Sequence, residues 1–169
     1  MDESGDLIRR WCRSADERAF RAFYRRHAEP LWRFACARGC DPDSAYDVVA
    51  DSFERFVARI CRNPRQPVAF LYRIAINRMT DLARRRAVRE PAPPADPDML
   101  AAAGNAAEAG ADLDQLFGKL AHDEQNLLLL RYWVGLTHRE VADVLAQPEG
   151  TVRRRAADLL ARIRARDDA

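Results

Sequence analysis

The sequence predicts an all-α protein: two small helical domains joined by a flexible linker. Three observations carry this. No segment sustains the two-residue apolar alternation, bounded by turn residues, that marks a strand. Long stretches on both sides of the chain repeat apolar residues at helical spacing. Between them, residues 87–112 hold four prolines, two glycines and many alanines, with almost no large apolar side chain. Such a segment cannot bury enough surface to offset its ordering entropy. The first domain is therefore expected over 1–86, the linker over 87–112 (with a short helix around Met99 to Ala103), and the second domain over 113–169.

The N-terminus, MDESGDLIRRWCR, is acidic and then basic, with no apolar region of signal-peptide length. No run approaches the ~18 apolar residues of a membrane span. A cytoplasmic protein without membrane insertion is expected. Ser14 and Glu17 have the spacing of a capping box, opening a helix whose apolar face is Phe20, Phe23, Tyr24, Leu31, Phe34 and Ala35. Pro30 should kink or split it near Glu29, because proline lacks the amide the ladder needs. Gly39 ends it. Asp41-Pro42 reads as an N-cap followed by proline in the first turn. The next helix buries Ala45, Val48, Val49, Phe53, Phe56 and Ile60. Residues 62–67 form a loop with two prolines and two arginines. A third long helix, from about Val68 to Arg86, turns Phe70, Leu71, Ile74, Ala75 and Leu82 inward.

In the second domain, helices are expected near Leu113 to Leu120 and from Asp123 to Val134, with Gly135 as C-cap. The stretch from Thr137 to Arg155 then reads as a helix-turn-helix. Thr137 and Glu140 form a capping box, and Val141, Ala142 and Leu145 share a face. Gln147 and Pro148 stop that helix. Glu149 to Thr151 start the next, with Val152, Ala156, Leu159, Leu160 and Ile163 as its buried stripe. The second helix of such a unit can enter the DNA major groove.

Net charge is +2, and it is unevenly spread. Residues 1–86 carry 18 Arg against 12 acids, residues 87–112 one Arg against five acids, and residues 113–169 nine of each sign. A phosphate backbone responds to such local basic patches rather than to the total. Cys12, Cys36, Cys40 and Cys61 do not give the paired spacing of a structural zinc. They are expected to be reduced, partly buried thiols, as suits a cytosolic protein. No metal or other cofactor is expected. There is no phosphate-binding glycine loop, no HExxH and no nucleophile–base pair, and His27, His122 and His138 are scattered, so an enzyme is not expected.

The stretch FLYRIAINRMTDLARRR, Phe70 to Arg86, resembles the promoter-melting region of group 4 (extracytoplasmic function, ECF) sigma factors of the sigma-70 family. The match runs through Phe70, Leu71, Tyr72, Arg73, Ile74-Ala75, Asn77, Asp81 and Arg84 to Arg86. Upstream, FRAFYRRHAEPLWRFA and SAYDVVADSFERF resemble the first two conserved blocks of that family. Downstream, LAHDEQNLLLLRYWVGLTHREVADVLAQPEGTVRRR resembles its region 4. The order is the family's, and the linker falls where the family has one.

The resemblance implies a promoter reader that binds core RNA polymerase and promoter DNA and is held by an anti-sigma factor or another regulator. Single-stranded bases are held by stacking and an arginine-lined groove. The −10 contacts are then expected from Arg62, Arg65, Tyr72, Arg73, Asn77, Arg78, Arg84 and Arg85, with Tyr72, Arg73, Asn77 and Arg78 on or near the solvent side of the third helix. The loop Arg62 to Gln66 would help to hold a flipped base. The −35 contacts are expected from Thr151, Arg153, Arg154 and Arg155, arginine to guanine being the commonest specific pairing, with Arg131 and His138 on the backbone. Asp47, Val48, Asp51 and Arg55 would dock on polymerase.

The chain also departs from the family pattern. Tyr46 stands where an acid is usual, Ala50 where Gln is usual, Arg154 where a small polar residue is frequent, and Ala156 where Leu is. The first two weaken the electrostatic side of the polymerase interface. Modification of Ser44, Tyr46 or Ser52 could restore negative charge there. The extra Arg154 should raise salt-dependent DNA affinity. Two other functions fit less of the chain: a helix-turn-helix regulator that does not bind polymerase, and a sigma-like adaptor that does not itself initiate transcription.

Overall fold

The structure is a computed structural model. It describes the backbone of residues 3–89 and 117–167 and the side chains of 3–88 and 117–165. Among these residues there is no strand, as the sequence predicts. The chain divides into two compact units, 1–106 and 107–169. That division falls inside the stretch read as linker. The linker, its short helix and residues 113–116 lie outside the described residues.

Among the described residues the first unit has four helices: α1 (Glu3–Ser14), α2 (Glu17–Ala37), α3 (Pro42–Arg59) and α4 (Pro67–Arg89), with a 3-10 turn at Ile60–Arg62. Helix α1 was not foreseen. It buries Ser4, Gly5 and Ile8, and Ser4 meets His27 Nε2 at 2.9 Å. The expected Ser14–Glu17 capping box does not form. Ser14 closes α1 instead, its hydroxyl donating to the Arg10 carbonyl at 2.9 Å. Asp16 caps α2, accepting from the amides of Arg18 and Ala19. With only Ala15 and Asp16 between the helices, the chain turns through a left-handed Ala15, φ +50°. An ionised acceptor next to the first amides then outcompetes a hydroxyl two residues earlier.

Helix α2 passes Pro30 unbroken, where a kink or split was expected. Proline removes the amide that would serve the Arg26 carbonyl, and Arg26 lies on the exposed side. The helix ends in a Schellman turn. Gly39, φ +87°, donates to the Cys36 carbonyl and Cys40 to that of Ala35. Asp41 then caps α3, accepting the Ser44 amide at 2.9 Å and the Ser44 hydroxyl at 2.7 Å. Arg86, near the end of α4, reaches back to both Asp41 (2.8 Å) and Ser44 (2.7 Å).

The core is aromatic. Phe23 of α2 stacks on Phe56 of α3, with ring centroids 5.1 Å apart and planes 11° from parallel. Phe53 meets both edge-on, and Phe70 of α4 lies 5.9 Å from Phe56. Leu31, Ile60, Leu71 and Ala75 fill the surroundings and are fully buried.

One sequence expectation about the cysteines is overturned. Cys12 and Cys61 form a disulfide across 49 residues, their Cα atoms 5.3 Å apart. Spacing along the chain gave no sign of it, because the folding of α1 onto the bundle creates the proximity. Cys36 and Cys40 are free thiols and half-buried. Burial pushes both thiols up, so they ionise reluctantly.

The second unit begins its described part with a helical turn at Phe117. Helix α5 (His122–Leu128) passes into a π turn at Leu129–Trp133, where a single helix to Val134 was expected. The Val134 amide bonds the Leu129 carbonyl at 2.8 Å, closing the wider turn. Gly135 follows at φ +83°. Ala121 offers no side-chain acceptor, so α5 has half a box: the Glu124 carboxylate takes the Ala121 amide at 3.0 Å. Helices α6 (His138–Leu145) and α7 (Glu149–Asp167) complete the unit. Leu127, Leu130, Val141, Val152, Ala156 and Leu159 form its centre. Arg162 of α7 pairs with Glu124 of α5 at 2.6 Å.

The Asp41 carboxyl is held far below the usual carboxylate range by the Ser44 amide first, then by the Ser44 hydroxyl and the Arg86 guanidinium. A depressed folded pKa stabilises the fold above the unfolded value of about 4 and loses that contribution as pH falls below it. Between pH 5 and 2 the urea midpoint of the wild type should therefore fall more steeply than that of Asp41→Asn. Parallel pH profiles would contradict this assignment.

Candidate nucleic-acid interface

Two basic surfaces can be described, one in each unit. In the first unit, α4 is buried along Ala69, Leu71, Tyr72, Ile74, Ala75 and Met79. Its opposite side presents Arg73, Asn77, Asp81, Arg84 and Arg85 to solvent. Residues 73, 77 and 81 repeat every fourth position and so line one stripe. The Arg73 guanidinium sits 5.2 Å from the Phe70 ring centroid, which fixes a cation at the edge of this face. Arg62 and Arg65 are exposed in the turn and loop just before α4. The face combines amide, guanidinium and partly covered ring, the groups that bind unpaired bases and their phosphates.

Tyr72 is not on this face. It is 1% exposed, its ring edge-on to Phe34 at 5.1 Å, and burial pushes its hydroxyl further up. The expectation that it faces solvent is corrected: α4 packs on α1, α2 and α3, and this widens its buried arc to take in position 72. Arg78 is also withdrawn from the exposed stripe. Its Nε lies 2.5 Å from an Asp51 carboxylate oxygen, and the two side chains are 17% and 34% exposed. That nitrogen lacks an aligned hydrogen bond, so the contact is a charge pairing between α3 and α4. It occupies two side chains that the sequence assigned to different partners.

On α3, Asp47 and Arg55 are exposed, whereas Val48 is fully buried in the core. A side chain with no accessible surface cannot dock a partner, so the expectation for Val48 is corrected. Tyr46 is 64% exposed, its ring 5.6 Å from that of Trp32. Of the three hydroxyls considered for modification, Ser52 is fully buried and Ser44 is engaged by Asp41 and Arg86. Only Tyr46 is freely presented.

In the second unit, the Thr137–Glu140 box forms as read. The Thr137 hydroxyl accepts the Glu140 amide, and the Glu140 carboxylate accepts the Thr137 amide at 2.8 Å. Helix α6 ends in a left-handed Ala146, φ 52°, one residue before the expected stop at Gln147. Helix α7 then starts with Glu149, and its first turns carry the arginines. Arg153 pairs with Glu149 at 2.8 Å, and Arg155 donates to the Gln147 side chain at 2.8 Å. Arg154 is exposed and has no ion pair among the described residues. Thr151 and His138 are half-buried.

Arg131 has a structural duty. It donates to the Leu136 carbonyl at 3.2 Å and lies over the Tyr132 ring at 5.6 Å, holding the turn that leads into α6. The π turn leaves Tyr132 and Trp133 exposed, 52% and 45%. Periodicity alone does not reveal a π turn, so neither aromatic was singled out in the sequence.

Comparisons with known proteins agree with this geometry. Sigma-70 region 2 matches residues 23–89 and Sigma-70 region 4 matches residues 116–165. Together the two regions span well over half the chain. One similar solved structure is CnrH in complex with the cytosolic domain of CnrY, with 27% identity, 99% of this chain and 98% of that chain covered, and a TM-score of 0.69. Another is the sigma factor RpoE in complex with the anti-sigma factor NepR from Bartonella quintana. It has 20% identity, 86% and 94% coverage, and a TM-score of 0.66, a likeness of fold alone. Comparison with curated protein sequences returns no match. The chain belongs to the sigma-70 family, within its extracytoplasmic function group. It is a sigma factor that directs transcription initiation, acting by binding RNA polymerase and promoter DNA.

If Arg131 holds the turn into α6, Arg131→Ala should destabilise the second unit by about 1–3 kcal/mol, the range for a lost hydrogen bond from a charged donor. Thermal unfolding without DNA measures this. An unchanged midpoint would leave Arg131 free for DNA.

Proposed function

We propose that α4 and the loop before it read and open the −10 element, while α7 reads the −35 element. The observation that carries this is the exposed stripe of Arg73, Asn77, Arg84 and Arg85 over a closed aromatic core. Opening a duplex requires contacts that offset a few kcal/mol of unstacking per base. Asn77 can make paired hydrogen bonds to a base edge, Phe70 with Arg73 can offer a stacking surface, and Arg62, Arg65, Arg84 and Arg85 can hold phosphates. Tyr72 and Arg78 support this face from beneath rather than touching DNA.

Arg153, Arg154 and Arg155 stand in the first turns of the recognition helix, where base edges come within reach. Arg153 and Arg155 are oriented by Glu149 and Gln147. Arg154 is the unrestrained charge. Asp47 and Arg55, with the exposed ring of Tyr46, offer the polymerase-docking face of α3. Tyr46 makes that face more apolar and less acidic than the family pattern. The solved complex of CnrH with the cytosolic domain of CnrY supports an anti-sigma factor as the regulator here. A cytoplasmic site of action follows from the polymerase partner. Among the described residues no helix is long and apolar enough to cross a membrane.

Runoff transcription with core polymerase on a randomised promoter library tests the reading. A conventional regulator would bind DNA and give no runoff. On a promoter selected in this way, Asn77→Ala should reduce open-complex formation and leave binding of duplex −35 DNA unchanged. Arg154→Ala should lower the slope of log affinity against log salt by about one unit, the signature of one lost phosphate contact. An unchanged slope would place Arg154 off the DNA.

A further inference from the structure

We propose that Cys12 and Cys61 form a reversible redox modification site that reacts with low-molecular-weight disulfides and clamps the −10 loop. The proposal rests on the sigma-factor reading above, because that reading places the chain beside polymerase in a reducing compartment. Persistent structural disulfides are rare there, and those that occur are mostly transient and redox-sensing.

The position of the pair is what gives it a consequence. Cys61 lies in the Ile60–Arg62 turn, immediately before the loop to α4. Ile60 is buried and anchors the start of that turn. Beyond it, Arg62, Asn63 and Arg65 are exposed and make no ion pair among the described residues. The Asn63 amide bonds only locally, to the Ile60 carbonyl at 3.0 Å. The disulfide is therefore the one covalent tie from this turn to another helix, α1. Helix α1 is held at its other end by buried Ile8, the Ser4–His27 contact and the Glu3–Arg26 ion pair. Reduction leaves the aromatic core intact and releases the turn.

The exposures also suit exchange. Cys61 is exposed and Cys12 half-buried, while the free thiols Cys36 and Cys40 are half-buried and pushed up by burial. The Cys61 thiolate attacks one sulfur of an external disulfide RSSR. The S–S bond breaks and RS⁻ leaves to take a proton. The Cys12 thiolate then attacks Cys61 Sγ of the mixed disulfide and expels the second RS⁻. Two protein thiols are oxidised to one disulfide, and RSSR is reduced to two RSH. Excess RSH runs the sequence backwards. The oxidised form holds Arg62 and Arg65 in place before α4 and so lowers the ordering cost of capturing an unpaired base.

Two measurements test this on the full chain, equilibrated with oxidised or reduced glutathione, with disulfide content read by thiol alkylation. Hydrogen exchange over residues 60–66 should be slower in the oxidised chain. Runoff from the selected promoter should fall about threefold to tenfold on reduction, equivalent to ordering one or two side chains. Cys61→Ser should behave as reduced wild type whatever the buffer, and Cys12→Ser, which stops at the Cys61 mixed disulfide, should keep the faster exchange of the reduced chain in both buffers. Equal exchange in both states, runoff that is measurable and equal in both states, or a Cys12→Ser chain whose exchange still slows on oxidation would each overturn the clamp. If runoff is absent in both states while exchange still differs, the sigma-factor reading fails and the structural clamp stands.

Discussion

Phe56 is the ring on which the first unit closes. It stacks on Phe23 from α2, meets Phe53 of its own helix edge-on and lies against Phe70 of α4. Such pairs contribute about 0.5–1.5 kcal/mol each beyond burial of their area. Their directional geometry also sets how α2, α3 and α4 are rotated about their axes. That rotation decides which side of α4 is wet. Arg73 and Asn77 face outward because Leu71, Tyr72 and Ala75 are drawn inward around this cluster.

Charge is arranged around that core in two ways. Some arginines serve the fold. Arg78 neutralises Asp51 at the seam of α3 and α4, Arg86 joins the Asp41 cap, Arg131 braces the turn before α6, and Arg162 ties α7 to α5. Others, such as Arg73, Arg84, Arg85 and Arg154, are left in water. In a chain where 27 of 28 basic residues are Arg, residue type cannot separate the two groups. A partner on another part of the fold does.

This explains what was legible in the sequence. The spans of α3, α4, α6 and α7, the caps at Asp41 and Thr137, the glycine turns at Gly39 and Gly135 and the helix-turn-helix depend on neighbours a few residues apart, so local chemistry reveals them. The errors depend on distant neighbours. Each residue advances a helix by about 100°, so the rim of a buried arc is set by what packs against it. Tyr72 lies on that rim, and Phe34 settles its side. Val48 and Arg78 are similar, one taken by the core and the other by Asp51. The disulfide joins residues 49 apart and depends on a helix, α1, that apolar spacing did not announce. At the start of α2 the Asp16 carboxylate takes the capping role expected of Ser14, two residues earlier.

The bond from Arg86 to Asp41 and Ser44 gives the first unit a mechanical fuse. The chain leaves α4 soon after Arg86, so any pull from beyond reaches this pair before it reaches Arg73 and Asn77. Both side chains are more than half exposed. Salt weakens such a pair readily. When it parts, the last turn of α4 can unwind into slack while Arg73 and Asn77, earlier on the helix, remain on the stretch whose other side is buried in the core. Arg73 and Asn77 are in this way insulated from strain that enters at the end of α4.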